Sequence, residues 1–264
     1  MPGICQDAAM ATAKTPSVPP AAARPDTKTR RTPAPAAAPV AAPRRGDALT
    51  REGIVEASIA LLDSAGVGGL TFRALAERLA TGPGAIYWHI DDKNDLLTAA
   101  CDAVVARSLA ALAPGGTPRA HIRAVALAMF DAIDARPWLG TALTQAAGQL
   151  PVVRILEPLG QQVRALGVVR HKAQWTAANA LLSYILGVAG QNAANAQAHR
   201  APSGQGDRAG LLAEVAAAWS ALDPVDYPFT RSLAGQLREH DDREDFLAGI
   251  DLILAGLAAT PRPR

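Results

Sequence analysis

LTFRALAERLATGPGAIYWHIDDKNDLL, residues 70–97, is the stretch whose reading decides the fold. It reads as two short helices joined by a tight turn, then a small aromatic cluster, then the start of a further helix. That order is the layout of a helix-turn-helix, whose second helix lies in the major groove of DNA. Two helices this short cannot bury a core alone, so the pair must lean on a helix before it and one after it.

The helix before it is expected over Arg51–Ala65, where Ile54, Val55, Ile59, Leu61 and Leu62 fall close to helical spacing. Thr50 suits its N-cap and Gly66 its C-terminal stop. Thr71 stands where an N-cap belongs, just ahead of FRALAERLA, and Leu75, Ala76 and Leu79 form that helix's inward stripe. A break follows at Ala80-Thr81-Gly82, with Gly82 expected to supply a positive φ. Pro83 fits the first turn of the next helix, where its missing N–H is not needed. Gly84 and Ala85 are small enough for a phosphate or a base edge to approach closely, and Ile86 points at the core. Tyr87, Trp88 and His89 follow in a row. A short helix has one buried face, so at least one or two of them must face a partner; the alternative is a local aromatic core. Asp91 or Asp92 caps the next helix. Lys93 in its first turn opposes the helix dipole, which makes sense beside an anion such as a DNA phosphate.

LTFRALAERLA, the small turn, and GAIYWHIDDKNDLL together resemble the TetR family of one-component transcriptional repressors. The resemblance runs without a gap over Leu49–Leu97, and the YWH triplet, the lysine four residues on and the Leu96-Leu97 pair carry it. It implies that Thr71, Arg73, Tyr87, His89 and Lys93 contact phosphates. It also implies that Pro83, Gly84, Ala85 and Trp88 lie on the face that reads the major groove. Pro83-Gly84-Ala85 departs from the family by carrying no strong hydrogen-bond donors, so base readout there should be mostly apolar, for example to thymine methyls.

With 264 residues and 49% hydrophobic content, the chain can bury one good core or two small ones. Aromatic residues are only 4% and alanine is abundant, which favours an all-α protein packed with small side chains. Alternating β-branched runs are almost absent. Cys5 and Cys101 cannot build a disulfide framework, so a reducing, cytoplasmic compartment is expected. No apolar run of about 18 residues indicates a membrane span. The net charge of +2 is unevenly spread, with +4 over residues 1–47, −3 over 48–97 and +1 over the rest. The reading segment is therefore not basic by count. It suits DNA if Arg51, Arg73 and Lys93 gather on one face while Glu52, Glu56 and Asp63 lie on the other.

Residues 1–46, rich in proline and alanine, read as a disordered tail. Its Arg44-Arg45 either reach along DNA or sit in a solvated linker. Residues 47–97 form the DNA-binding domain and 98–260 a C-terminal helical domain. In the latter, a connector helix runs to Leu112. Further helices are expected over Pro118–Ala135, Trp138–Gln149, Val152–Leu166 (split from the previous one by Pro151), His171–Gln197, Leu211–Leu222 and Arg243–Ala259. His199–Gly210 reads as a loop, Pro224 and Pro228 frame a break, and the tail from Thr260 frays. Ala178–Ala189 and FLAGIDLILAGLAA carry more apolar surface than a small monomer leaves unpaired. They form a dimer interface or bury each other within one chain. TetR-like proteins dimerise through two C-terminal helices, and LLSYILGVA and DFLAGIDLILAGL resemble that design, most nearly in the tetracycline-responsive repressors.

The five histidines are scattered without metal-ligand spacing, and no Walker loop, GxGxxG or GxSxG is present. No metal, cofactor or catalytic residue is expected. His121, Trp138, Thr141, Gln145, Asn179, Ser183 and Gln191 stand as polar or aromatic residues inside apolar stretches, where a ligand or a core hydrogen bond would satisfy them. Ser183 and Gln191 stand near positions where the family resemblance implies ligand contacts, whereas its magnesium–drug motif is not apparent. The expected function is a homodimeric repressor of a palindromic operator, released by a small-molecule effector. The alternative is a helix-turn-helix interaction or architectural module without a ligand.

Overall fold

The computed structural model describes residues 49–199 and 208–259. The expectations for the tail 1–46 with Arg44-Arg45, for Cys5, for loop residues 200–207 and for 260–264 lie outside the described residues. Helix α1 (Arg51–Gly69) starts where the Thr50 hydroxyl accepts the Gly53 N–H at 3.0 Å. It changes course at Gly66, which takes φ +64° as the expected stop, and then makes one further turn. Thr71 caps α2 (Phe72–Arg78) by accepting the Ala74 N–H at 3.1 Å. The turn that follows corrects the expectation. Ala80, not Gly82, holds the positive φ, +50°, while Gly82 at −82° serves as the N-cap of α3 (Pro83–Ile86). The cause is a helix-ending pair of bonds, Thr81 N–H to Ala76 C=O at 3.0 Å and Ala80 N–H to Glu77 C=O at 3.2 Å. That pairing places the left-handed residue one position past the cap, whatever its side chain. Asp92, accepting the Asn94 and Asp95 N–H groups at 2.7 and 2.8 Å, starts α4 (Lys93–Ala110).

The rest is helical as well, and the described residues contain no strand. Helices α5 (Pro118–Ala135), α6 (Pro137–Gln145), α7 (Leu150–Ala165), α8 (His171–His199), α9 (Arg208–Ser220), α10 (Pro228–Leu233) and α11 (Asp242–Ala259) follow. Pro151 does not separate α6 from α7. It occupies the first turn of α7, where a missing N–H is harmless, and α6 ends four residues earlier than expected. Helix α9 begins inside the expected loop, and the expected break near Pro228 holds α10 and a 3₁₀ turn, Gln236–Glu239.

One continuous core runs from Ile54 of α1 through α4 and α5 to Leu254 of α11. Leu96, Ala100 and Val105 of α4 are fully buried, as are Ile122, Val125, Met129 and Ile133 of α5. Helix α4 thus shares this core with both α1 and α5. Helix α11 lays Phe246, Ile250 and Leu254 inward. Phe246 packs on Phe130 of α5 at 4.7 Å between ring centroids and on Tyr184 of α8 at 5.6 Å. Tyr184 also donates its hydroxyl to the Phe246 carbonyl at 3.2 Å. Gly249 permits this approach, because a Cβ there would lie 1.9 Å from the Tyr184 hydroxyl oxygen. The inner faces of α8 and α11 therefore bury each other within the chain, while the outer face of α11 keeps Leu252 75% exposed.

Candidate nucleic-acid interface

Helix α3 is pinned from beneath. Ile86 and, just past its end, Ile90 are buried, which turns the intervening residues outward. Tyr87 is 54% exposed and Trp88 89%, while His89 is half-buried. The run is not an aromatic core. Tyr87 is held in place by Phe72 at the start of α2, with ring centroids 4.3 Å apart and planes within 12°. Sequence reasoning had no role for Phe72, although an aromatic just after the Thr71 cap was the available signal. Pro83 and Gly84 are exposed and Ala85 is half-buried. A Cβ on Gly84 would meet nothing in the protein, so packing does not demand glycine there.

The charges around α3 are partly occupied. Arg51 reaches Asp95 in the first turn of α4 at 3.2 Å, beside Lys93. Arg73 pairs with Glu77 at 3.1 Å, both groups well exposed. Exposed pairs of this kind contribute little and exchange readily for another anion. Thr71 is exposed, with its hydroxyl already capping α2. Lys93 is exposed and has no carboxylate partner among the described residues. Of the acids expected to lie elsewhere, Glu56 is held by Arg107 of α4. Asp63 accepts the Trp138 indole N–H at 2.7 Å, with Arg136 Nε 3.3 Å from the same oxygen but out of hydrogen-bond alignment. Two acids of α1 are thus neutralised by α4 and by the start of α6.

The candidate ligand residues are not gathered in one interior cavity. Trp138 is 5% exposed and committed to Asp63, so its polar tip is satisfied within the chain. His121 is half-buried, whereas Thr141, Gln145, Asn179, Ser183 and Gln191 are exposed, against the expectation of polar groups caught in apolar surroundings. The reason is periodicity: α8 turns Leu181, Leu182, Ile185 and Ala189 inward, which leaves Asn179, Ser183 and Gln191 on its outer side. Gln145 lines a cleft against α4. Among the described residues, no group of three or more His, Cys, Asp or Glu is placed to hold a metal ion. No described helix is long and apolar enough to cross a membrane.

Known proteins agree with this layout. The family model for the bacterial regulatory proteins of the tetR family matches residues 54–100. An HTH-type transcriptional regulator of Saccharopolyspora erythraea is 31% identical over 216 residues, which span 80% of this chain and 86% of that one. The solved structure of SCO7222, a TetR from Streptomyces coelicolor, shares 52% identity with a TM-score of 0.72, over 81% of this chain and all of that one. ActR from Streptomyces coelicolor, in complex with (S)-DNPA, shares the fold at a TM-score of 0.67 and 19% identity, over 81% of this chain and all of ActR. The Saccharopolyspora erythraea relative and SCO7222 are both named as transcriptional regulators. The chain belongs to the TetR family of DNA-binding transcriptional regulators.

Proposed function

We propose that this regulator is a repressor that holds a palindromic double-stranded operator as a homodimer and releases it when a small-molecule effector binds. The observation that carries the reading is the stretch just past α3, where Tyr87 and Trp88 stand in solvent shortly before exposed Lys93, which has no carboxylate partner among the described residues. Large amphipathic rings presented at the end of a rigidly backed helix fit a groove better than they fit water. In this reading residues 47–97 form the DNA-binding domain, and 98–260 the dimerisation and effector domain. Arg51, Thr71, Arg73, Tyr87, His89 and Lys93 touch phosphates, while Pro83, Gly84, Ala85 and Trp88 face base edges. The outer faces of α8 and α11, with Asn179, Ser183, Gln191 and Leu252, support a four-helix interface between two copies. The (S)-DNPA complex of ActR, a protein of the same fold, supports an effector.

Selection from a random duplex pool tests the operator. The account expects an enriched palindrome with half-sites one helical turn, ~34 Å, apart. Light scattering tests the dimer. Leu252→Glu places a charge in the interface and should give a monomer with much weakened operator binding, since an unpaired buried charge costs several kcal/mol. An enriched site without symmetry, or a wild-type monomer at micromolar concentration, contradicts the reading.

A further inference from the structure

Phe72 is the first residue of α2, and its side chain has no polar atom with which to bind DNA. It is half-buried and packs on the core, as its place one turn ahead of buried Leu75 and Ala76 requires. Its ring lies against that of Tyr87, with centroids 4.3 Å apart and planes 12° from parallel. The backbone is settled on both sides of this contact. Next to Phe72, the Thr71 hydroxyl caps α2 and the Thr71 carbonyl accepts the Leu75 N–H at 2.9 Å. Next to Tyr87, the Ile86 carbonyl accepts the His89 and Ile90 N–H groups at 2.9 and 3.1 Å, and both isoleucines are buried. Tyr87 itself sits at φ −62° and ψ −16°, in the helical region. What is left free is the rotation of its side chain. On a residue 54% exposed, contact with a neighbour has to select the rotamer, and Phe72 supplies that contact.

We infer that Phe72 is a positioning residue for DNA binding: it sets the strength of operator binding by holding Tyr87 in one rotamer before DNA arrives. The inference rests on the reading above that Tyr87 touches the phosphate backbone, and it adds the residue that prepares Tyr87 for that contact. A phenol free to swing must be ordered when it binds, and the lost freedom is subtracted from the affinity. A phenol already stacked is ordered when the chain folds, so less is lost on binding. Stacking suits this use, because it restrains the plane of the ring while leaving Tyr87 about half exposed. An aliphatic side chain at this position would also pack on the core, but it offers no flat face to a second ring. The positioned side chain is a neutral phenol, so Phe72 tunes affinity without changing the number of counterions that DNA releases.

A double-mutant cycle on the selected operator duplex tests the inference, with NMR of the Tyr87 ring protons as the structural readout. In the wild type those protons should stand upfield of free tyrosine, shifted by the Phe72 ring current. Phe72→Leu keeps apolar packing on the core. It should return the protons toward free-tyrosine positions and raise the operator Kd by roughly fivefold, a factor of about two for each half-site. The slope of log K against log salt should stay as in the wild type. Phe72→Tyr, which keeps a stacked ring, should retain the wild-type Kd. In a Tyr87→Ala background, Phe72→Leu should leave Kd where Tyr87→Ala alone puts it, because the positioned group is gone. Thermal melts by circular dichroism check that each variant is folded, and Phe72→Met replaces the leucine variant if that one is not. Wild-type ring protons at free-tyrosine positions overturn the inference. So does a Phe72→Leu protein that binds as tightly as wild type, a loss that persists in the Tyr87→Ala background, or a Phe72→Tyr protein as weak as Phe72→Leu. If Phe72→Leu is silent while Tyr87→Ala and Lys93→Ala both weaken binding, the positioning role falls and the DNA face stands. If those two variants also bind at wild-type strength, the DNA face falls and the positioning role with it.

Discussion

Trp88 and Trp138 stand in similar local settings and end in opposite places. Each stands at a short helix opened by proline, Trp88 two residues past the end of α3 (opened by Pro83) and Trp138 in the first turn of α6 (opened by Pro137). Trp88 is 89% exposed, and Trp138 is 5% exposed with its indole N–H on Asp63. What separates them is the opposing surface. The inner side of α3 is filled by Ile86 and Ile90, which leaves Trp88 outside. The start of α6 meets a carboxylate of α1, so the polar tip of Trp138 can be buried at no hydrogen-bond cost. A tryptophan's fate is thus set by an acceptor 75 residues away, not by its own helix.

The sharpest way to break this contrast is truncation. Trp138→Ala should destabilise the fold by about 3–5 kcal/mol, the range for emptying a large buried aromatic site. Trp88→Ala should stay within about 0.5 kcal/mol of wild type. Chemical denaturation midpoints at constant slope decide, and equal losses would dissolve the distinction. Trp138→Phe then removes the donor while keeping an aromatic ring, with the missing five-membered ring adding a smaller packing loss. A bond to a charged group is worth about 1.5–3 kcal/mol, and the half-exposed position of Asp63 puts the expected loss at the lower end. No loss would mean that the ring alone anchors α6. Tyr87→Ala removes the stack on Phe72. It should cost about 0.5–1.5 kcal/mol and, unlike Trp138→Phe, weaken operator binding beyond any stability effect.

The caps were legible in the sequence. Thr50, Thr71 and Asp92 sit where a short acceptor must precede a helix, and Pro83 where a missing N–H is harmless. Ile86 inward, and at least one or two of Tyr87, Trp88 and His89 outward, followed from one buried face on a short helix; which of the three did not. The sites between elements were not legible. The Trp138–Asp63 bond, the Phe72–Tyr87 stack and the α4–α6 cleft each join residues whose pairing only the fold creates. The outward placement of Asn179, Ser183 and Gln191 is not legible from their standing inside an apolar stretch. The periodicity within α8 leaves one side of it in solvent. The turn before α3 departs from the sequence reading at one residue, because the helix-ending hydrogen bonds, not a glycine, place the positive φ. Ala80 holds it at a cost of about 1–2 kcal/mol, and Ala80→Gly should recover close to 1 kcal/mol without moving α3. A destabilised variant would show that the alanine side chain matters more than the strained backbone.

The central claim is that the surface joining α3 to the start of α4 holds DNA. Lys93→Ala tests it most directly, because Lys93 is exposed and has no carboxylate partner among the described residues. Operator titrations over a range of salt concentrations should show affinity lowered about equally for selected and unrelated duplexes. The slope of log K against log salt should shrink by about one, with the melting temperature unchanged. A variant that binds as tightly as wild type with the same salt slope would contradict the account.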